Sequence, residues 1–279
     1  MLEDLIWAIA SPSLLNPETR DDIATATWAD ESVDPEPLAS FLADRSTYRV
    51  GAYFENLIHY WLEQVRKVEL VAHGRQIQDG KQTLGELDFL FRDEDGQLTH
   101  WETAVKFFLH YPQENPTGSF YIGPNAADTL ERKTQKLFEH QLPLSQRISE
   151  EIQQRKAFVK GRIFYHPRDE PEDAEMSNLL APNHLRGIWI RDSELEWLEE
   201  PEIAAVRVLH KPHWLSERPF LANGIAFTSV GEAQNQLRQH FAQSNHPNLI
   251  GLYEEAAGEF VEVNRVFVVH RTWPESPKK

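Results

Sequence analysis

The 279-residue chain contains no cysteine, which excludes disulfides, zinc–thiolate centres and cysteine nucleophiles together. It has no uncharged apolar run of about 18 residues, no basic apolar leader after Met1 and no lipidation signal. No membrane association is expected, and the cytoplasm is the expected compartment. G-x-S-x-G, P-loop and G-x-G-x-x-G sequences are also missing, and with them the specific signatures of acyl transfer, nucleotide hydrolysis and dinucleotide binding. No nucleotide or dinucleotide cofactor is expected. Positive charge is scarce: 28 Lys and Arg against 44 Asp and Glu leave −16, which argues against broad, nonspecific binding to nucleic acid. There is no internal repeat and no low-complexity run.

What is present is enough for a sizeable core, with 41% hydrophobic residues, eight Trp and 15 Phe. The charge is uneven. From Glu55 to His166 there are 14 Lys and Arg against 16 Asp and Glu, a balance of −2, so the remainder carries −14. Metal ions bound to carboxylates in that middle segment would bring it close to neutral, so its electrostatics neither exclude nor favour a phosphate-bearing ligand.

The middle segment places its acids on strands. Lys67 to Ile77 reads as one strand and Thr83 to Arg92 as a second, in which Leu87, Phe89 and Phe91 alternate with Glu86, Asp88 and Leu90. After the turn Asp93-Glu94-Asp95-Gly96, a third strand runs from Gln97 to about Leu109 and carries Glu102, Ala104 and Lys106 on one face. A hairpin of the last two strands brings Asp88 and Glu102 together. Two or three carboxylates hold Mg²⁺ or Mn²⁺ while leaving room for waters and a substrate phosphate. A nearby lysine can orient the attacking water or steady the charge on phosphorus.

Upstream, Gly51 to Val65 reads as an amphipathic helix with Phe54, Leu57, Ile58, Trp61, Leu62 and Val65 on its apolar face. Glu55 and His59 lie one turn apart at its border, where His59 could orient Glu55, although a half-buried structural histidine is the commoner case. Downstream, Gly123-Pro124-Asn125 opens a helix from about Ala126 to His140, with Lys133 and Lys136 beside its apolar side, and Ala157 to Tyr165 follows as a strand. The order is helix, three strands, helix, strand.

That order, with an acid on the first helix, Asp88 on the second strand and Glu102 with a lysine on the third, resembles the PD-(D/E)XK nuclease superfamily and its restriction-endonuclease-like fold. The segments GAYFENL, TLGELDFLFRDEDGQLTHWETAVKFFL, GPNAADTLERK, HQLPLS and KGRIFYHP are similar to one bacterial family, the domain of unknown function 1853 family, over roughly Arg49 to Trp214. The resemblance implies an α/β fold: a mixed sheet flanked by helices, with a helical N-terminal extension and an α+β C-terminal extension. It also implies a Mg²⁺- or Mn²⁺-dependent hydrolase of phosphodiester bonds in DNA or RNA. Asp88 and Glu102 would hold the metal, with Glu86 as a further ligand, and Glu55 and Lys106 would share the catalytic work. One position departs from the pattern. The usual Glu-x-Lys lysine falls on Ala104, and Lys106 lies about 6.6 Å further along the same face. Lys133, on the second helix, is the fallback cation and a candidate for substrate binding. The alternative reading is a nuclease-like protein without turnover that binds nucleic acid or a protein partner.

Around this core, assigned to residues 49–166, residues 1–48 read as short helices, with Glu31 to Pro37 as an acidic, turn-rich link. Pro167 to Pro182 reads as an acidic, proline-rich linker or loop. Residues 183–279 read as an α+β extension with strands at Gly187–Ile190, Ala204–Leu209 and Val261–His270 and a helix at Val230–Gln243; Trp189, Trp197, Trp214 and Trp273 are expected in its core. His210 and His213 flank Lys211-Pro212, and the proline argues against a shared helical face for them. The tail from Pro274 should fray.

Overall fold

A computed structural model describes residues 1–29, 33–45, 48–115, 117–148, 151–169, 177–200, 202–217, 220–221 and 227–275. The chain forms a mixed α/β structure that divides into two compact units. One comprises Met1–Lys106, Arg132–Gly161 and Met176–Leu185, and the other Phe107–Glu131, Arg162–Glu175 and Arg186–Lys279. Among the described residues, no helix is long and apolar enough to cross a membrane.

The first unit begins with α1 (Leu2–Ala10), α2 (Pro35–Ala43) and α3 (Val50–Tyr60), the last continuing as a π-helical turn over Trp61–Val65. The expected link at 31–37 is corrected in part. Pro35, Glu36 and Pro37 form the first turn of α2, because Asp34 caps it by accepting from the Glu36 amide and proline suits an N-terminal turn; Glu31 lies outside the described residues. Strands β1 (Glu69–Asp79), β2 (Gln82–Arg92) and β3 (Leu98–His110) follow as antiparallel neighbours. The N-terminal half of β5 (Gln154–Tyr165) extends the order to β1-β2-β3-β5. Ile23 bridges to Ala157, and the Leu14 amide donates to the Val159 carbonyl, so residues 14–24 cover β5 rather than leave its backbone open.

Aromatic rings fill the space behind these strands. Trp101 stacks on Phe158 with ring centroids 5.0 Å apart, and Phe54 and Trp61 stack on that pair. Lys160 is 2% exposed and donates to the Ile9 and Ser11 carbonyls, satisfying acceptors that the end of α1 leaves open. Gly161 has φ +152, and a Cβ there would overlap the Lys106 carbonyl oxygen, so the two strands approach too closely for any other residue.

The expected helix at 126–140 is shorter at its start and longer at its end. Ala126 adopts φ +55 inside a turn closed by the Gly123 amide on the Asp128 carbonyl, which holds off the helix until Leu130. From there α4 (Leu130–Lys136) runs into a π-helical turn at Leu137–Gln141 and a last α-turn, α5 (Leu142–Leu144). Leu144 packs on Ile77 and Leu87. Within the segment expected as a solvated loop at 167–182, residues 170–176 lie outside the described ones. Leu180 and Ala181 are buried, and the Ala181 amide donates to the Leu14 carbonyl.

The second unit contains β4 (Tyr121–Ile122), the C-terminal ends of β3 and β5, β6 (Leu185–Arg191), β7 (Ala205–Val208), β8 (Phe220–Leu221), α6 (Val230–Gln243), β9 (Asn248–Ala256) and β10 (Glu259–Val269). The strand order is β5-β6-β10-β9-β7, parallel only between β6 and β10 among the pairings of β6, β7, β9 and β10. Trp189 and Trp273 are buried in its core and Trp197 and Trp214 pack against it, as the sequence led one to expect. Arg265 is 1% exposed. It pairs with Glu262 and donates to the carbonyls of Trp214, Leu215 and Ser216, tying that loop to β10. The end of the tail, 276–279, lies outside the described residues.

Candidate active site

The ladder between β2 and β3 runs from Arg92↔Leu98 to Phe89↔Trp101 and pairs no residue beyond it. The next residues on the two strands are Asp88 and Glu102. Here side chains take over from the backbone: Asp88 Oδ2 accepts from the Thr103 amide at 2.7 Å and from the Thr103 hydroxyl at 3.2 Å. The period-two reading therefore placed these two acids correctly as neighbours, at the point where the strands part.

Glu102 is 1% exposed and held at both oxygens. Oε1 lies 2.9 Å from His100 Nε2, and Oε2 accepts from Gln141 Nε2 at 2.8 Å. Burial pushes His100 down to about 4, so its ring is neutral at pH 7. Either Nε2–H donates to the carboxylate or the carboxylic acid donates to Nε2.

Burial lifts Asp88 to about 7, and the charges of Glu102 and Glu55 add to that rise against the Thr103 hydrogen bonds. Burial also lifts Glu102 to about 7, opposed by the Asp88 amide and Gln141 and reinforced by the charges of Glu55 and Glu86. Two neighbouring acids in this state titrate as a pair.

Glu55, on α3, accepts from or donates to His73 Nε2 at 2.9 Å. The His73 ring stacks on Phe89 and faces His59 with centroids 4.2 Å apart. The idea that His59 orients Glu55 is thus corrected. His59 lies 3.7 Å from Glu63, burial and the neighbouring His73 push it down to about 4, and β1 supplies the histidine that meets Glu55. Glu86 is exposed, two residues along β2 from Asp88. Lys106 and Lys133 are half-buried.

Sequence reasoning missed His73, His100, Thr103 and Gln141. His100 could have been found, since it lies two residues before Glu102 and so shares its face on a strand. Gln141 lies one residue beyond the expected helix end and reaches Glu102 from the π-helical turn, which no periodicity signals.

Among the described residues, no group of three or more His, Cys, Asp or Glu is arranged as a ready cage for a metal. The donor set nevertheless suits a hard cation. Asp88 and Glu102 offer neighbouring carboxylate oxygens, and Mg²⁺ is commonly bound through one or two carboxylates with waters and substrate phosphate completing its shell.

No curated protein and no solved structure matches the chain. A family model described as domain of unknown function (DUF1853) matches residues 3–269, which is nearly all of it. The chain belongs to the DUF1853 family.

Proposed function

We propose that this protein is a Mg²⁺- or Mn²⁺-dependent nuclease of the PD-(D/E)XK type, with a restriction-endonuclease-like core formed by α3, β1 to β3, α4 and β5. The observation that carries this reading is the pair of half-buried Asp88 and buried Glu102, neighbours where two strands part and both lifted to about 7. Such an arrangement opposes folding at neutral pH and favours a bound cation.

Asp88 and Glu102 would hold the ion, with Glu86 at the exposed margin. When bound, the ion polarises a phosphoryl oxygen and lowers the pKa of an attacking water. Thr103 fixes Asp88 through two hydrogen bonds, and His100 and Gln141 fix Glu102. His73 holds the Glu55 carboxylate, which is thereby available to accept a proton near the acid pair. Lys106, on the strand of Glu102, supplies a cation for the scissile phosphate, with Lys133 as its alternative.

The test is Mn²⁺-dependent cleavage of labelled single- and double-stranded DNA and RNA by the wild type and Asp88→Asn prepared identically. Cleavage by the wild type and its loss in the variant is the expected result; undiminished cleavage by Asp88→Asn sinks the assignment.

A second reading, a binding module without turnover, is favoured by one observation: both Glu102 oxygens already accept or share hydrogen bonds. On that reading, the wild type and Asp88→Asn bind nucleic acid or a protein partner equally and neither yields product.

A further inference from the structure

The lysine expected beside Glu102 falls on Ala104, and the side chain that does reach the carboxylate across the fold is Gln141. Three features make that contact specific. Gln141 closes the π-helical turn Leu137–Gln141, a local widening of the helix that changes which side chains face the strands. The helix is fixed next to this turn by Leu144, which packs on Ile77 and Leu87 and lies so close to Gly85 that a Cβ there would come within 2.7 Å. The other oxygen of Glu102 belongs to His100, itself 0% exposed, so the carboxylate is held from two sides and can turn only if one contact breaks.

We infer that Gln141 and His100 are positioning residues that set the Glu102 carboxylate for a divalent cation, with Gln141 acting from the second helix. This rests on the nuclease reading above. Each donor occupies one direction at its oxygen and leaves the remaining lone pairs for a metal. Partners of this kind orient a ligating group, and their loss typically weakens metal affinity by about 10–100-fold. As a neutral amide, Gln141 orients the carboxylate without cancelling the charge that attracts the cation, which a lysine in the same place would do.

The experiment is calorimetric titration of full-length protein with Mn²⁺ alone, comparing wild type, Asp88→Asn, Gln141→Leu and Gln141→Met, with circular dichroism on each metal-free sample. Two apolar replacements of similar size are used so that at least one folded variant is obtained at this half-buried position. The expected result is wild-type binding, loss of binding in Asp88→Asn, and about 10–100-fold weaker binding in a folded Gln141 variant. Wild-type affinity retained in a folded Gln141 variant overturns the positioning role while leaving the nuclease reading intact. Absence of Mn²⁺ binding by the wild type, or equal binding by Asp88→Asn, overturns the metal site and the positioning role with it.

Discussion

Replacing Asp88 with Asn should make the protein more stable at neutral and alkaline pH. In the unfolded chain Asp88 ionises near its ordinary 3.8, whereas burial and the charge of Glu102 lift it to about 7 in the folded state. Between these values the folded state binds more protons than the unfolded one, so wild-type stability falls as pH rises from about 4 to about 7 and then levels off. A rise of roughly three pKa units corresponds to a ceiling of ~4 kcal/mol at 1.36 kcal/mol per unit. Water reaching the half-buried Asp88 screens its charge and lowers the gain; ~1–3 kcal/mol is the expected stabilisation at pH 8. Asparagine keeps an oxygen for the Thr103 amide, so no buried donor is orphaned. For folding units of this size, about 2–4 °C in melting temperature follows each kcal/mol. Calorimetric melting of wild type and Asp88→Asn from pH 4 to pH 8 should give a difference that is small at pH 4 and grows to several degrees at pH 8. A variant less stable than wild type at pH 8, or a difference independent of pH, refutes the reasoning.

Three more outcomes follow from particular contacts. Saturating Mn²⁺ should raise the melting temperature of the wild type at pH 8 but not of Asp88→Asn, since a ligand at a hundred times its Kd stabilises by about 2.7 kcal/mol; equal shifts would place binding elsewhere. Arg265→Ala should destabilise the second unit by ~3–5 kcal/mol in denaturant titration, because Glu262 is left buried without its partner, and combining it with Glu262→Gln should recover part of the loss. Gly161→Ala should cost ~3–5 kcal/mol or prevent folding, since its Cβ would overlap the Lys106 carbonyl, and soluble protein with an unchanged melting temperature would contradict that packing.

Much of the strand framework was legible because it follows simple periods. The β2–β3 hairpin announced itself by alternation around an Asp-Gly-containing turn, and α6 has the bounds expected at Val230–Gln243, its start fixed by Ser229, which caps the Glu232 amide while Glu232 answers the Ser229 amide. Strand β9 escaped notice. Its Leu249, Ile250, Leu252 and Tyr253 are all buried, so no alternation marks it, and Gly251 sits mid-strand where the Tyr253 ring leaves no room for a Cβ. The late start of α4 depends on one left-handed residue, Ala126, whose conformation composition does not reveal. At the candidate site the acids could be read from their own strands. The groups that hold them could not: Gln141 and His73 meet Glu102 and Glu55 only after a helix and a strand have packed, and a π-helical turn decides which side chain arrives.

The pairing of Asp88 with Glu102 also bears on how this family can diverge. Natural drift favours changes that make a fold more robust, and at these two positions a single step to an amide is such a change. Retention of both acids in a lineage would therefore signal selection for a task that needs their charge. Loss of either one relieves its neighbour as well, so a branch that has abandoned the chemistry should be recognisable by an amide at one position and relaxed constraint at the other.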